Sequence, residues 1–262
     1  AVVKKLLSLM KSGKSSMKVR ERAALAVGQL CIGDASFPHR DIVIKGFLEA
    51  IQEIKEVELH LTMGEALVYA VLGPLSPMGR DLWTIDEQEF KPVYDVEISD
   101  SYMTGVLEDL MGKYMISTHP NVKQGSCIFL LALLQHGKTH AQVKDKLTAI
   151  QSSFMSLLGD NNDMVQDTAS KGLGVVYEAC SEDQRDEMVG SLLQTLLEGN
   201  RKVQQVTGDT KLFEEGQLGK MPTSSGGGNL TTYKELCSLA SDLNQPELVY
   251  KFMNLANHNA MW

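Results

Sequence analysis

Proline is scarce, seven residues in 262, and aromatic side chains make up only 6 % of the chain. With few prolines, long stretches keep every backbone donor a helix needs, which favours helices over many short strands. With few aromatics, aliphatic packing must carry the core. A hydrophobic content of 43 % beside 22 % charge excludes a disordered or collagen-like chain. The length suffices for one large domain or two ordinary ones.

Long apolar runs are missing too. The longest uncharged one, Cys127 to Leu134, falls far short of the roughly 18 residues a membrane helix requires. No basic-then-apolar leader opens the sequence, so the expectation is a soluble chain with no direct membrane insertion. Cysteine is sparse: Cys31, Cys127, Cys180 and Cys237 form no CxxC pair and lie in apolar helical patterns. They read as reduced core thiols, which points to cytosol or nucleus. Positive charge is in deficit, with a formal net charge of −8 and a sequence pI near 5.3, which argues against general affinity for nucleic acid or anionic membrane. The chain begins with Ala1 and closes on Met261 and Trp262 inside an apolar helical pattern, so it reads as a piece of a longer protein.

What is present is a repeat. The segment from Val19 can be laid over segments starting at Val57, Val122 and Val165. Offsets 0, 4, 8 and 11 give Val19, Ala23, Val27, Leu30; Val57, Leu61, Glu65, Val68; Val122, Ser126, Leu130, Leu133; and Val165, Ala169, Leu173, Val176. These positions share one helical face. Glu65 is the misfit: a register one residue out, or a semi-buried carboxylate that must find a donor, accounts for it ahead of a functional role. Offset 5 supplies Ala24, Thr62, Cys127 and Ser170, all small, so a neighbouring helix can approach along a second stripe.

Each of these helices follows another apolar-periodic segment: Val2 to Met10, Ile42 to Ile54, Met103 to Ile116, and Val143 to Leu158. Cap signals fall at Asn121, Thr139, Asp163, Ser181 and Thr232, each three residues before Gln or Glu, and Gly159 and Gly199 sit where helices should stop. The repeat intervals are 38, 65 and 43 residues, two of them near the roughly 40 to 47 of HEAT or armadillo units. The predicted fold is all-α, a single continuous α-solenoid of HEAT-like antiparallel helix pairs over residues 1–262. Insertions fall at about 73–100 and 208–231.

The first insertion carries the candidate partner-binding residues. Asp81, Trp83, Asp86, Glu87, Glu89, Phe90 and Tyr94 place aromatics within a dense acidic run that holds only one lysine, Lys91. Loops of this length are functional or disordered as a rule. The Gly-rich tract of the second reads as a flexible linker.

Catalytic motifs fail one by one. Ser12-Gly13-Lys14-Ser15 resembles the end of a P-loop, but Ser8 stands where that motif needs glycine, and it reads as an interhelical turn. His136 and His140 are four apart, yet Gly137 and the Thr139 cap place a helix break between them, and no nearby Cys completes a zinc site. His258 lies between Asn257 and Asn259 with no nucleophile placed beside it. Gly172-Leu-Gly174 has Tyr177 where a dinucleotide fingerprint needs a third glycine, and close helix packing explains it. Asn229-Leu-Thr231 is a glycosylation sequon without meaning in a cytosolic chain. The basic start, Lys4, Lys5, Lys11, Lys14, Lys18, Arg20 and Arg22 against Glu21, reads as a solvated solenoid edge ahead of an acidic-partner surface. No enzyme, metal or cofactor is expected.

Three segments of the last third are more specific: Asp167-Thr-Ala-Ser-Lys-Gly-Leu-Gly-Val-Val-Tyr-Glu178, Gly208-Asp-Thr-Lys-Leu-Phe213, and the stretch from Tyr233 to Trp262. They resemble the very large HEAT-repeat adaptor and scaffold family of the proteasome. The resemblance implies a non-enzymatic, curved, cytosolic and nuclear protein that attaches to the 26S proteasome. It would touch core and regulatory particles and link proteasomes to vesicle and motor compartments. The family offers no catalytic residues to carry over. The alternative on the same fold is a HEAT-repeat nuclear transport receptor segment that binds cargo.

Overall fold

The chain's computed structural model describes residues 1–34, 36–79, 96–181, 183–188 and 190–191. Helices dominate these residues, and no strand occurs among them. In chain order they are α1 (Val2–Lys11), α2 (Met17–Gln29), α3 (Arg40–Ala50), α4 (Val57–Leu72), α5 (Val96–Asp109), α6 (Pro120–Gly137), α7 (Ala141–Asp145), α8 (Leu147–Leu157) and α9 (Asp163–Ala179). A π-helical turn, Leu110–Tyr114, extends α5.

The helices pair largely as the sequence predicts: α1 with α2, α3 with α4, and α8 with α9, while α6 meets the π-helical turn that extends α5, and α5 itself packs on α4 and α7. The second helices then stack in a row, α2 on α4, α4 on α6, α6 on α9. A helix in such a row must be apolar on two sides, and α4 is the clearest case, with Ala66 to Leu72 buried without interruption. This is an all-α helical repeat with one core running through its length.

The repeat register holds at the third and fourth units, where Val122, Ser126, Leu130, Leu133 and Val165, Ala169, Leu173, Val176 are all buried. The second unit is displaced, by two residues rather than one. Leu59, Met63, Leu67 and Ala70 occupy its face at 0 % exposure, while Leu61 is 53 % exposed. Its small position is Gly64 rather than Thr62. Glu65 lies on the exposed side and accepts a hydrogen bond from the Tyr69 hydroxyl one turn on, so no buried carboxylate exists there. In the first unit Ala23 and Val27 are buried, but Val19 and Leu30 are each more than 40 % exposed. Arg20 takes the inward place beside Ala23 and Ala24.

Several helix ends depart from the cap signals. His119 precedes Pro120 at the start of α6, and Asn121 turns away to donate to the carbonyls of Ile51 and Gln52 in the preceding hairpin. Asn162, not Asp163, caps α9 by accepting from the N–H groups of Met164 and Val165. His140, not Thr139, caps α7. Ser181 behaves as predicted, its N–H donating to the Gln184 side chain. Residues 96–100, which the sequence reading assigns to the first insertion, form the opening turns of α5. The segment from Val143 to Leu158 is two helices, α7 and α8, broken at Lys146. Gly73 ends α4 at φ +53°, a conformation glycine adopts without strain.

Candidate functional surface

Charged side chains fall into a pattern set by the repeat. Lys11 meets Glu53, Arg20 meets Glu56, Glu108 meets Lys146, Lys123 meets Asp160, and Lys138 meets Glu178, at sequence separations of 36 to 42. One repeat is that long, so each pair ties a hairpin to the next. Exposed pairs contribute little stability, about 0 to 1 kcal/mol each, and their effect is chiefly on alignment. Arg20 and Lys123–Asp160 are better shielded and are held at 2.7 and 2.8 Å.

A buried polar relay crosses three hairpins on the same edge. His60 Nε2 faces the Ile54 carbonyl at 3.0 Å and must carry the hydrogen; Nδ1 then accepts from the Gln124 amide at 3.1 Å. Asn162, the cap of α9, donates in turn to Gln124 Oε1 at 3.3 Å. His60 is fully buried, and desolvation holds its pKa below the ordinary value, which keeps the ring neutral.

Arg40 forms a second hub on the opposite edge. It is 1 % exposed, and its Nη2 donates to the carbonyls of Cys31 and Asp34 at 2.7 and 2.8 Å. Its guanidinium lies 5.5 Å from the Tyr102 ring centre. Arg40 Nε has no hydrogen-bond partner among the described residues. Beside this hub Phe37, Asp41, Glu97 and Tyr102 wall an open cavity of about 480 Å³, between the start of α3 and the start of α5. Burial, reinforced by donation to Asp41, raises the Tyr102 pKa. Sequence reasoning missed Arg20, Arg40 and His60; an ionisable residue next to buried alanines or valines was the available signal.

The predicted partner-binding residues Asp81, Trp83, Asp86, Glu87, Glu89, Phe90 and Tyr94 lie outside the described residues, as do the second insertion, Cys237 and the stretch Tyr233 to Trp262. Gly13 and Lys14 lie in the turn between α1 and α2. His136 is exposed at the end of α6, and the helix break separates it from His140. His140 Nε2 faces both Ser99 Oγ at 3.4 Å and the Asp100 carboxylate at 3.3 Å, while Nδ1 accepts from the Gln142 N–H. A catalytic triad needs the serine and the carboxylate on opposite nitrogens, so this trio is an interhelix contact. Gly172 lies beneath Phe154, where a Cβ would stand 2.4 Å from the ring; close packing is its role. Cys31, Cys127 and Cys180 are buried free thiols. Burial raises all three pKa values, that of Cys31 to about 11 despite the opposing Arg40 charge. Among the described residues no three potential metal ligands cluster, and no helix is long and apolar enough to cross a membrane.

An extended stack of hairpins, joined along its edges by polar pairs and presenting open surface, defines a helical-repeat protein of the kind that binds other macromolecules. Over 261 residues, 100 % of this chain, it is 45 % identical to the human proteasome adapter and scaffold protein ECM29. It is 38 % identical over 98 % of its length to the Drosophila melanogaster proteasome-associated protein ECM29 homolog, and 34 % identical over 65 % to the Saccharomyces cerevisiae proteasome component ECM29. The chain belongs to this HEAT-repeat family of proteasome adapters and scaffolds. It spans 14 %, 13 % and 10 % of those three relatives' lengths. No family model matches the chain, and no solved structure does. Nothing in these likenesses supports a nuclear transport receptor.

Proposed function

We propose that this chain is a non-enzymatic scaffold segment that attaches to the 26S proteasome and helps tether its core and regulatory particles. The carrying observation is 45 % identity along the whole chain to a protein named as a proteasome adapter and scaffold. The physical basis is the stack itself. Hairpins touching only their neighbours give a long surface that engages two bodies at once, and weak contacts then reinforce each other through effective concentration. The solenoid continues through residues 1–262, interrupted by the two long insertions. The protein works in cytoplasm and nucleus and meets vesicle and motor compartments through its partners.

Within this role the acidic, aromatic insertion makes the partner contact, through Asp81, Trp83, Asp86, Glu87, Glu89, Phe90 and Tyr94. Glu97, which follows this stretch in the sequence, walls an open cavity with Asp41 and Tyr102, and this supports the reading. The test is capture of purified 26S proteasomes by the immobilised chain, before and after nucleotide depletion separates core from regulatory particle. Retention of both particles is expected, and retention of neither refutes the reading. Removing residues 81–97 should weaken capture more than it lowers the melting temperature; equal capture refutes the insertion's role alone.

A further inference from the structure

The groove between α1 and α3 combines features that the scaffold reading does not use. These are the first helices of successive hairpins, and each turns one i, i+3, i+7 row toward the other. Lys4, Leu7 and Lys11 come from α1; Ile42, Lys45 and Glu49 come from α3. They enclose an open cavity of about 420 Å³. Its floor is apolar because Gly46 has no side chain: a Cβ there would stand 2.8 Å from Leu7 Cδ1, so Leu7 sinks between the helices. Ile42 remains 40 % exposed at the rim.

The rim is cationic in a chain whose net charge is −8. Lys4 is exposed and has no ion-pair partner among the described residues. Lys45 is 77 % exposed and only loosely held, 3.8 Å from Glu49. Lys11 is the one properly compensated, by Glu53 at 3.3 Å. Lys5, Lys14 and Lys18 on the same hairpin are exposed and add to the local field.

We propose that this groove docks an acidic, amphipathic segment of a partner protein. An apolar side chain of that segment rests on Leu7 and Ile42, and its carboxylates reach Lys4 and Lys45. Charge complementarity selects the sign of the partner, and the apolar floor selects a peptide over a bare polyanion. The inference does not depend on which assembly supplies the segment.

The probe is a fluorescein-labelled peptide of glutamates with leucine at every third and fourth position, titrated against the whole chain by anisotropy. Lys4→Glu with Lys45→Glu should weaken binding about tenfold, and Ile42→Ser about threefold, with a smaller salt dependence for the double variant. Lys144→Glu with Lys171→Glu, exposed lysines elsewhere on the stack, should leave affinity unchanged, and circular dichroism should show all variants folded. Equal losses from both charge-reversal pairs, or no loss from Ile42→Ser, would overturn the proposal. Tighter binding after removal of residues 81–97 would make the chain's own acidic stretch the occupant. Light scattering that finds dimers lost on Lys4→Glu with Lys45→Glu would make it a second copy. Either result overturns the proposal as well.

Discussion

Arg20 and Glu56 meet at 2.7 Å across the junction between the first and second hairpins, with Arg20 almost wholly buried and Glu56 partly open to solvent. Arg20 Nε also donates to the Met10 carbonyl at 2.9 Å, so one guanidinium closes its own hairpin and grips the next. The Arg20 hydrogen bond, more than any other contact, holds the Glu56 pKa down to about 2. A carboxylate depressed in the folded state contributes stability above its unfolded pKa and loses it as pH falls through the folded value. Melting temperature should therefore decline between about pH 4.5 and pH 2. In Glu56→Gln that part of the decline should vanish, and stability at pH 7 should drop by about 1 kcal/mol, a figure discounted for the exposure of Glu56.

His60 gives a slope in a different window. Its pKa is depressed by burial, so the unfolded chain binds the proton more readily than the folded one. Stability from this residue is full above about pH 6.5, the unfolded value, and falls as pH drops below it. In His60→Gln the slope just below pH 6.5 should flatten, measured by denaturant titration at a series of pH values. Persistence of the full slope would place its source elsewhere.

Two glycines on neighbouring second helices should respond differently to a methyl group. A Cβ at Gly28 would stand 2.5 Å from the Ala66 carbonyl oxygen, and backbone cannot move aside cheaply. Gly28→Ala should cost about 1 to 3 kcal/mol by prising α2 from α4. A Cβ at Gly64 would meet its nearest neighbours at an ordinary 3.5 Å. Gly64→Ala should be neutral or stabilising by up to about 1 kcal/mol through helix propensity. Thermal melts of the two variants decide it.

Leu173→Asp should unfold the chain, because Leu173 is 0 % exposed in the face α9 shares with its neighbours and a buried, unpaired carboxylate is costly. Leu61→Asp should be tolerated, since Leu61 is 53 % exposed. The original sequence register places both leucines inward. Circular dichroism showing both variants unfolded would restore that register, and showing both folded would remove Leu173 from the core.

The amino-acid sequence by itself determined that this protein is made of paired helices and roughly where each lies, because periodicity and helix-stopping glycines are properties of a few consecutive residues. Val165, Ala169, Leu173 and Val176 were legible for that reason. Tertiary structure alone decided which polar residues turn inward and whom they meet. Asn121 looks like a local cap until the Ile51 carbonyl is placed beside it. Glu65 looks misplaced until the second unit is shifted by two residues. Arg20, His60 and Lys123 find partners a repeat or more away, a distance no local pattern spans. The groove between α1 and α3 likewise exists only once successive hairpins stack.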